Sequence, residues 1–165
     1  MANAKEIRVK IKSVQNTQKI TKAMETVAAS KMRRAQDMMR AARPYAQRIR
    51  RVAVHLANSM IEYNHPFLAK PEKMARIGII LITSDKGLCG GLNTNQFRML
   101  SAKLKGYQEE KVEVSFTAFG AKGLDFLRRI GGNVISHAVS LGDRPKPERL
   151  IGPVKVMMDK FLQGE

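Results

Sequence analysis

The chain has 165 residues, enough for one domain of ordinary size or for a smaller domain plus an extended element, but not for two full domains. Thirty Lys and Arg against fourteen Asp and Glu give a net charge of +16, so an acidic partner is expected: nucleic acid, a lipid surface or a protein. The single cysteine, Cys89, excludes an internal disulfide, and apolar runs of at most six residues predict neither a membrane span nor a secretory signal.

The basic charge is concentrated near the amino terminus. Residues 1–61 contain fourteen Lys and Arg and three acids, whereas residues 62–165 contain sixteen and eleven. This change in composition predicts three parts: a long helix over residues 1–61, a linker over residues 62–74 that contains Pro66 and Pro71, and an α/β domain over residues 75–165.

The first predicted element is a long helix with a coiled-coil repeat. Asn3 and Glu6 have the spacing of a capping box, which places the helix start near Ala4. An alternating four-and-three repeat is apolar at thirteen of sixteen positions, which indicates a left-handed coiled coil. The thirteen apolar positions, called the apolar stripe below, are Ile7, Ile11, Val14, Ala28, Met32, Ala35, Met39, Ala42, Ala46, Ile49, Ala53, Leu56 and Met60. The three polar positions fall together at Gln18, Thr21 and Glu25.

A helix of this length, roughly 80 Å, cannot bury its stripe against the remaining hundred residues. It therefore requires a second long helix, which this sequence does not contain. Pro44 predicts a kink or a break near Arg40. The alternative is a hairpin of two shorter helices that reverses at "ARPYA", although the repeat continues through Pro44 in phase.

The second predicted element is an α/β domain with a Rossmann-like parallel sheet. Strands are expected at "ARIGIILITSD", "KVEVSFTAF" and "NVISHAVSL". Helices are expected from Thr94 to about Lys105 with a cap at Asn93, at "KGLDFLRRI", and at "PERLIGPVKVMMDKFL" with an interruption at Pro153. Three strands make a thin sheet, so we expect further strands beyond this sequence and a domain that is incomplete at its C-terminal end.

The loop "SDKGLCGGLN" follows the first strand, where an open α/β sheet binds ligands. Its glycines match neither the dinucleotide fingerprint nor the P-loop, so a demanding turn or a contact loop is a simpler interpretation than a phosphate cradle. Cys89 is interpreted as a small buried apolar residue, since nothing in the sequence brings a histidine close to it. The scattered histidines give no metal-ligand spacing, and no pair of carboxylates indicates acid–base catalysis.

The stretches "IRVKIKSVQNTQKITKAMETVAASKMRRAQ" and "SDKGLCGGLN" together resemble the γ subunit of F-type ATP synthase, and "RPYA" and "LIGPVKVM" are similar to bacterial γ chains. The resemblance implies that the N-terminal helix winds with a C-terminal helix into an antiparallel coiled coil inside a ring of three α and three β subunits. The family's C-terminal helix and later strands are missing here, so the sequence is interpreted as the N-terminal portion of such a chain.

The resemblance also implies a function. The chain would be part of the central rotor shaft, which couples proton-driven rotation to ATP synthesis or hydrolysis in the β subunits without binding nucleotide. It would be a non-catalytic subunit with no cofactor, in contact with α, β, ε and the c-ring, and peripheral on the cytoplasmic face of a bacterial inner membrane. The residues that match the family's segments, and to which subunit contact and coupling are assigned, are Lys22, Met24, Lys31, Arg33, Arg34, Asp85, Lys86, Gly87, Cys89, Gly90 and Gly91.

Three other functions remain to be weighed. A nucleic-acid-binding protein would place the basic helix in a groove and bind in a strongly salt-dependent way, but 5% aromatic residues offer few stacking platforms. A nucleotide-dependent enzyme would bind ATP or NAD on the α/β domain. An amphipathic helix on anionic lipid is the third, although the alanine-rich stripe is narrow for a membrane anchor.

Overall fold

The computed structural model describes residues 3–58, 66–68 and 75–164. The chain divides into two compact units, Met1–Ser59 and Met60–Glu165. The linker predicted over residues 62–74 lies mostly outside the described residues. Its described part is a single turn of 3-10 helix, Pro66–Leu68.

The described residues of the first unit form one helix, α1 (Ala4–Asn58). It begins where the sequence predicts, after Asn3, whose side-chain oxygen accepts a hydrogen bond from the Lys5 N–H at 3.4 Å. The Glu6 N–H bonds to the main-chain carbonyl of Asn3, and the Glu6 carboxylate pairs with Lys10 at 3.3 Å. The helix start is confirmed, but the cap acts on Lys5 instead of through the predicted box with Glu6.

Of the kink or break predicted near Arg40, the break is wrong, because α1 continues through Pro44 to Asn58. Proline has no N–H for the carbonyl four residues earlier, so one hydrogen bond, to Arg40, is missing. Residues of good helix propensity on both sides, among them Ala41, Ala42 and Ala46, favour helix strongly enough to continue past that single defect. The alternative hairpin that reverses at "ARPYA" is excluded by the same continuity.

Over residues 75–164 the second unit alternates strands and helices and has a three-stranded sheet in the order β1-β2-β3, parallel throughout. The α/β fold class is therefore confirmed. Its elements are β1 (Arg76–Ile82), α2 (Leu92–Glu109), β2 (Glu113–Phe119), α3 (Ala121–Arg129), β3 (Asn133–Ala138) and α4 (Pro147–Leu162).

The core of this unit lies on one face of the sheet. In the β1–β2 register Leu81 stands beside Ala118, and both are buried together with Phe116. Leu100 of α2 covers this face, as do two leucines of α3, Leu124 and Leu127. On the opposite face the Thr117 hydroxyl lies 2.8 Å from that of Ser136, which in turn donates to the Pro153 carbonyl of α4 at 3.0 Å.

Two details of the second unit differ from the prediction. Helix α2 begins at Leu92, after Gly91 and without a side-chain cap, and Asn93 lies inside the helix, buried and bonded to Ser84. The interruption predicted at Pro153 is wrong, since α4 runs through it. The hydrogen bond from β3 to the Pro153 carbonyl and the packing of α4 on β3 hold the helix where local propensity would weaken it.

Candidate functional site

The apolar stripe of α1 is uncovered. No residue of this helix is buried, and the large apolar side chains of the stripe that the structure describes are 48–68% exposed. They are Ile7, Ile11, Val14, Met32, Met39, Ile49 and Leu56. Each would contribute about 1.5–3 kcal/mol on full burial, so the helix presents an unused surface for association. Within the described ranges no helix, α1 included, is long and apolar enough to cross a membrane.

The five candidate residues of α1 do not form a single patch. Lys22 and Arg33 are eleven residues apart, about three turns, and share one face along one edge of the apolar stripe. Met24 and Lys31 are seven apart, about two turns, and lie along the other edge. Arg34 is on the side away from the stripe. All five are exposed, so positive charge and the Met24 side chain surround the helix over three turns.

Threonine hydroxyl groups at the polar positions of the stripe make hydrogen bonds within the helix itself. The Thr21 hydroxyl donates to the Thr17 carbonyl at 2.8 Å, and the Thr17 hydroxyl donates to the Ser13 carbonyl at 3.0 Å. These threonines therefore need no outside hydrogen-bond partner to be covered by another protein. The side chains of Gln18 and Glu25 are the polar groups of this segment that would need hydrogen-bond partners if another protein covered the stripe.

Asp85 follows β1 and holds three chain segments together. Its Oδ1 accepts hydrogen bonds from the N–H groups of Ala121 at 3.0 Å and Ser140 at 2.9 Å, and its Oδ2 accepts one from Leu141 at 2.8 Å. Partial burial by itself raises the pKa of this carboxyl. The three N–H donors and nearby Arg149 outweigh that effect, so the pKa of Asp85 lies below its ordinary value. Asp85 is thus committed to the fold of its own domain.

Arg149 completes this arrangement and was not identified from the sequence. Its guanidinium donates to the carbonyls of Ser140 at 2.7 Å and Val139 at 2.9 Å, while Asp85 accepts from the N–H groups of the same segment. The segment after β3 is therefore held through its main-chain N–H groups by Asp85 and through its carbonyl groups by Arg149. Ser140 in this segment has a φ of 54°. Nothing in the local sequence marks Arg149 among thirty basic residues.

The N-terminus of α3, at the carboxyl end of β2, is occupied by the chain's own groups. Backbone N–H groups at a helix N-terminus are free to bind phosphate in nucleotide-binding folds. Here the N–H of Ala121 bonds to Asp85, that of Lys122 to the Ser84 carbonyl at 3.2 Å, and that of Gly123 to the Thr83 hydroxyl at 2.8 Å. The first turn of α3 has no donor left among these three for a ligand.

The loop between β1 and α2 is fixed by a small polar cluster. The Asn93 amide donates to the Ser84 hydroxyl at 2.7 Å and to the Cys89 sulfur at 3.4 Å, and its oxygen accepts from the Ser84 N–H at 3.3 Å. The Ser84 hydroxyl donates to the Lys86 carbonyl at 2.7 Å. Cys89 is half-buried beside neutral partners, which agrees with a packing role better than with that of a nucleophile.

The other candidates of this loop lie at its surface. Lys86, Gly87, Gly90 and Gly91 are exposed, and Gly90 has a φ of 58°, which favours glycine. The structure thus brings together the six candidates of residues 85–91 in one loop. Those of α1 lie in the other unit.

No group of three or more His, Cys, Asp or Glu side chains that could hold a metal occurs among the described residues. The described part of the second unit also has an apolar groove of about 630 Å³ along α4. Its lining includes Phe67, Leu150, Ile151, Val154, Met158 and Leu162.

Fold and site define the class as an α/β protein with a long amino-terminal helix whose surface is open to association. A family model described as ATP synthase matches residues 3–165. The chain is 57% identical over 164 residues, 99% of its length, to the ATP synthase gamma chain of Thiobacillus denitrificans, and 59% identical over its whole length to that of Ralstonia nicotianae. The chain belongs to the gamma-chain family of ATP synthase. It spans 57% and 56% of the length of these two relatives.

Proposed function

We propose that the chain forms the amino-terminal part of the central rotor shaft of an F-type ATP synthase. In this role it couples proton-driven rotation to ATP synthesis or hydrolysis in the β subunits. The observation that carries the proposal is α1 itself, an uninterrupted helix of 55 residues in which no side chain is buried. Such a helix requires partners along its whole length, which a coiled coil within a ring of subunits provides.

The apolar stripe and the positive charges of α1 indicate which partners the helix would have. A second long helix covers the apolar stripe, and the α and β subunits surround the pair. Lys22 and Arg33 share one edge of the stripe, and Arg34 lies on the side away from it. Positive charge on two sides of α1 suits a shaft that meets acidic loops of several β subunits in turn. Met24 and Lys31 border the stripe on its other edge and complete the contact set. Differential contacts with the three β subunits would bias their states, and rotation would pass that bias round.

The second unit contributes contact without catalysis. Lys86, Gly87, Cys89, Gly90 and Gly91 form the coupling loop, and Asp85 supports it by fixing the neighbouring segments. The saturated first turn of α3 supports the view that this domain binds no nucleotide. The domain would meet ε and the c-ring at the cytoplasmic face of a bacterial inner membrane, and the complex as a whole would be the enzyme.

The test is ATP-driven rotation in the assembled complex. The chain, produced with its natural downstream sequence, is combined with α and β subunits, and a gold particle is attached through Lys103→Cys on the exposed side of α2. The proposal predicts stepwise rotation in one direction on addition of ATP, and no binding of ATP to the chain alone in equilibrium dialysis. Hydrolysis with a stationary particle, or failure to assemble, would overturn it.

A further inference from the structure

The start of the loop between β1 and α2 is tied to a distant part of the chain. Asp85 directly precedes the exposed residues of this loop, and its neighbour Ser84 belongs to the hydrogen-bond cluster that fixes the loop. Two of the three N–H groups that Asp85 binds are those of Ser140 and Leu141, 55 and 56 residues further along the chain. The placement of Asp85, and with it the start of the loop, therefore depends on the segment after β3.

The segment after β3 is held in a strained conformation. β3 ends at Ala138, so Ser140 and Leu141 lie beyond the strand pairing of the sheet. Ser140 has a φ of 54°, in the left-handed region that disfavours residues with a Cβ. Such a conformation persists where the surrounding groups hold it in place. The position of the two N–H groups that meet Asp85 thus requires support from elsewhere in the fold.

Arg149, in the first turn of α4, gives that support. Its Nη1 donates to the Ser140 carbonyl at 2.7 Å, and its Nη2 donates to the Val139 carbonyl at 2.9 Å. Because the guanidinium is a rigid planar fork, the two bonds fix the direction of both carbonyls as well as their position. Arg149 is exposed, and without these two bonds it would be interpreted as a solvated surface cation.

Arg149 and Asp85 bind opposite sides of the same two peptide groups. The Val139 carbonyl and the Ser140 N–H belong to one peptide group, and the Ser140 carbonyl and the Leu141 N–H belong to the next. In a planar trans peptide the carbonyl and the N–H are rigidly linked, so a bond that orients one orients the other. The guanidinium on the carbonyl side and the carboxylate on the N–H side also polarise both groups in the same sense.

We propose that Arg149 is a positioning residue for the loop between β1 and α2, and that it acts through these two peptide groups and Asp85. Loss of the guanidinium frees the two carbonyls, and the N–H groups on their other side then no longer hold Asp85 in one place. The inference deepens the proposed function and rests on it for any effect on coupling, because that loop is the proposed coupling loop.

Chemical labelling of Cys89 in the loop tests the positioning. The chain with its natural downstream sequence is treated with a maleimide under native conditions, and the tryptic peptide of residues 87–98 is followed by mass spectrometry. Arg149→Ala should raise the labelling rate of the half-buried thiol about threefold or more, since two hydrogen bonds that hold the segment are lost. Lys146→Ala removes an exposed charge from the N-cap of α4, where it makes no side-chain cap bond, and should leave the rate unchanged.

Two further measurements separate positioning from general destabilisation. The rise in labelling of Cys89 should exceed any rise in the hydrogen-exchange rate of β2 amides, which report unfolding of the whole unit. Asp85→Asn and Arg149→Ala combined should raise the labelling rate by less than the product of the single effects, because both act on the same two peptide groups.

An unchanged labelling rate in Arg149→Ala, or an equal rise in Lys146→Ala, would overturn the inference. An equal rise at Cys89 and in β2, or single effects that multiply in the double variant, would overturn it as well. In membrane vesicles that contain the assembled complex, Arg149→Ala should lower the number of protons pumped per ATP hydrolysed. If labelling rises as expected and this ratio is unchanged, the positioning inference stands and the coupling role proposed for the loop is wrong.

Discussion

Asp85 and Gly120 stabilise the α/β unit by contacts between segments that are far apart in sequence. The Asp85 carboxylate accepts hydrogen bonds from residues 36, 55 and 56 positions further along the chain. Gly120 joins β2 to α3 with a φ of 97°, and a Cβ there would collide with the backbone of Thr83 at the end of β1. Both positions therefore control how the exits of neighbouring strands meet.

Asp85→Asn should destabilise the second unit by about 1–3 kcal/mol at pH 7, since it removes a charged acceptor from three N–H groups. The folded pKa lies below the unfolded value of about 3.9, so this stability is present above that pH and lost as the pH falls through the folded pKa. Urea unfolding followed by NMR signals of β2 should show the variant and the original converging in acid. Asp125→Asn on the exposed face of α3 is the control, and an equal loss there would contradict the assignment.

Gly120→Ala should cost at least about 2 kcal/mol, because it combines an unfavourable φ with a collision against Thr83. Gly131→Ala is the matched control, with a φ of 69° and no atom within 4 Å of the added carbon. It should cost about 1 kcal/mol from strain alone. Urea midpoints of the two variants give the comparison, and equal losses would show that the close approach at Thr83 does not matter.

At the scale of elements, the sequence predicted the helices and strands correctly where an apolar repeat is long or where capping residues and glycines mark an end. The start of α1 at Asn3, the three strands and the helix that ends before Gly131 follow from apolar patterns and caps. Pro44 and Pro153 were overestimated as breakers, since helix propensity on both sides and packing on β3 outweigh one lost hydrogen bond. Local rules cannot weigh such tertiary contacts.

The candidate site was likewise predictable from the sequence only in part. Its loop was located from glycine content and its position after a strand. The role of Asp85 could not be predicted, because its donors come from segments that only the folded sheet brings near. Asn93 resembled a helix cap in sequence but is a buried partner of Ser84. The exposure and the positive φ of Leu88, in the same loop, could not be predicted, since they are properties of the folded loop.

Helix α1 gives a test of the proposed contact role of Met24, which is 55% exposed beside Glu25. Met24→Lys adds a cation at the edge of the apolar stripe and should lower the number of protons pumped per ATP hydrolysed in membrane vesicles, with hydrolysis retained. Met38→Lys, fourteen residues and about four turns along nearly the same face, is the control and should have less effect. Unchanged pumping in Met24→Lys would contradict the contact assignment.

At the scale of the whole molecule, the two units have different sources of stability. The second unit has a buried core of its own, formed by β1, β2, α2 and α3. The first has the apolar stripe of α1, of which no residue within Ala4–Asn58 is buried, and most of the excess positive charge of the chain. Helical stability in proteins comes chiefly from packing of an apolar face, so α1 should depend on association while the α/β unit does not.

Amide hydrogen exchange of the chain, alone at low concentration and then within the complex with α and β subunits, tests this dependence most directly. In the free chain the amides of α1 should exchange with opening free energies near zero, whereas those of β2 should be protected up to the global stability of their unit. In the complex, protection should extend along α1. Strong protection of α1 in the free monomer would contradict the account, since the helix would then need no partner.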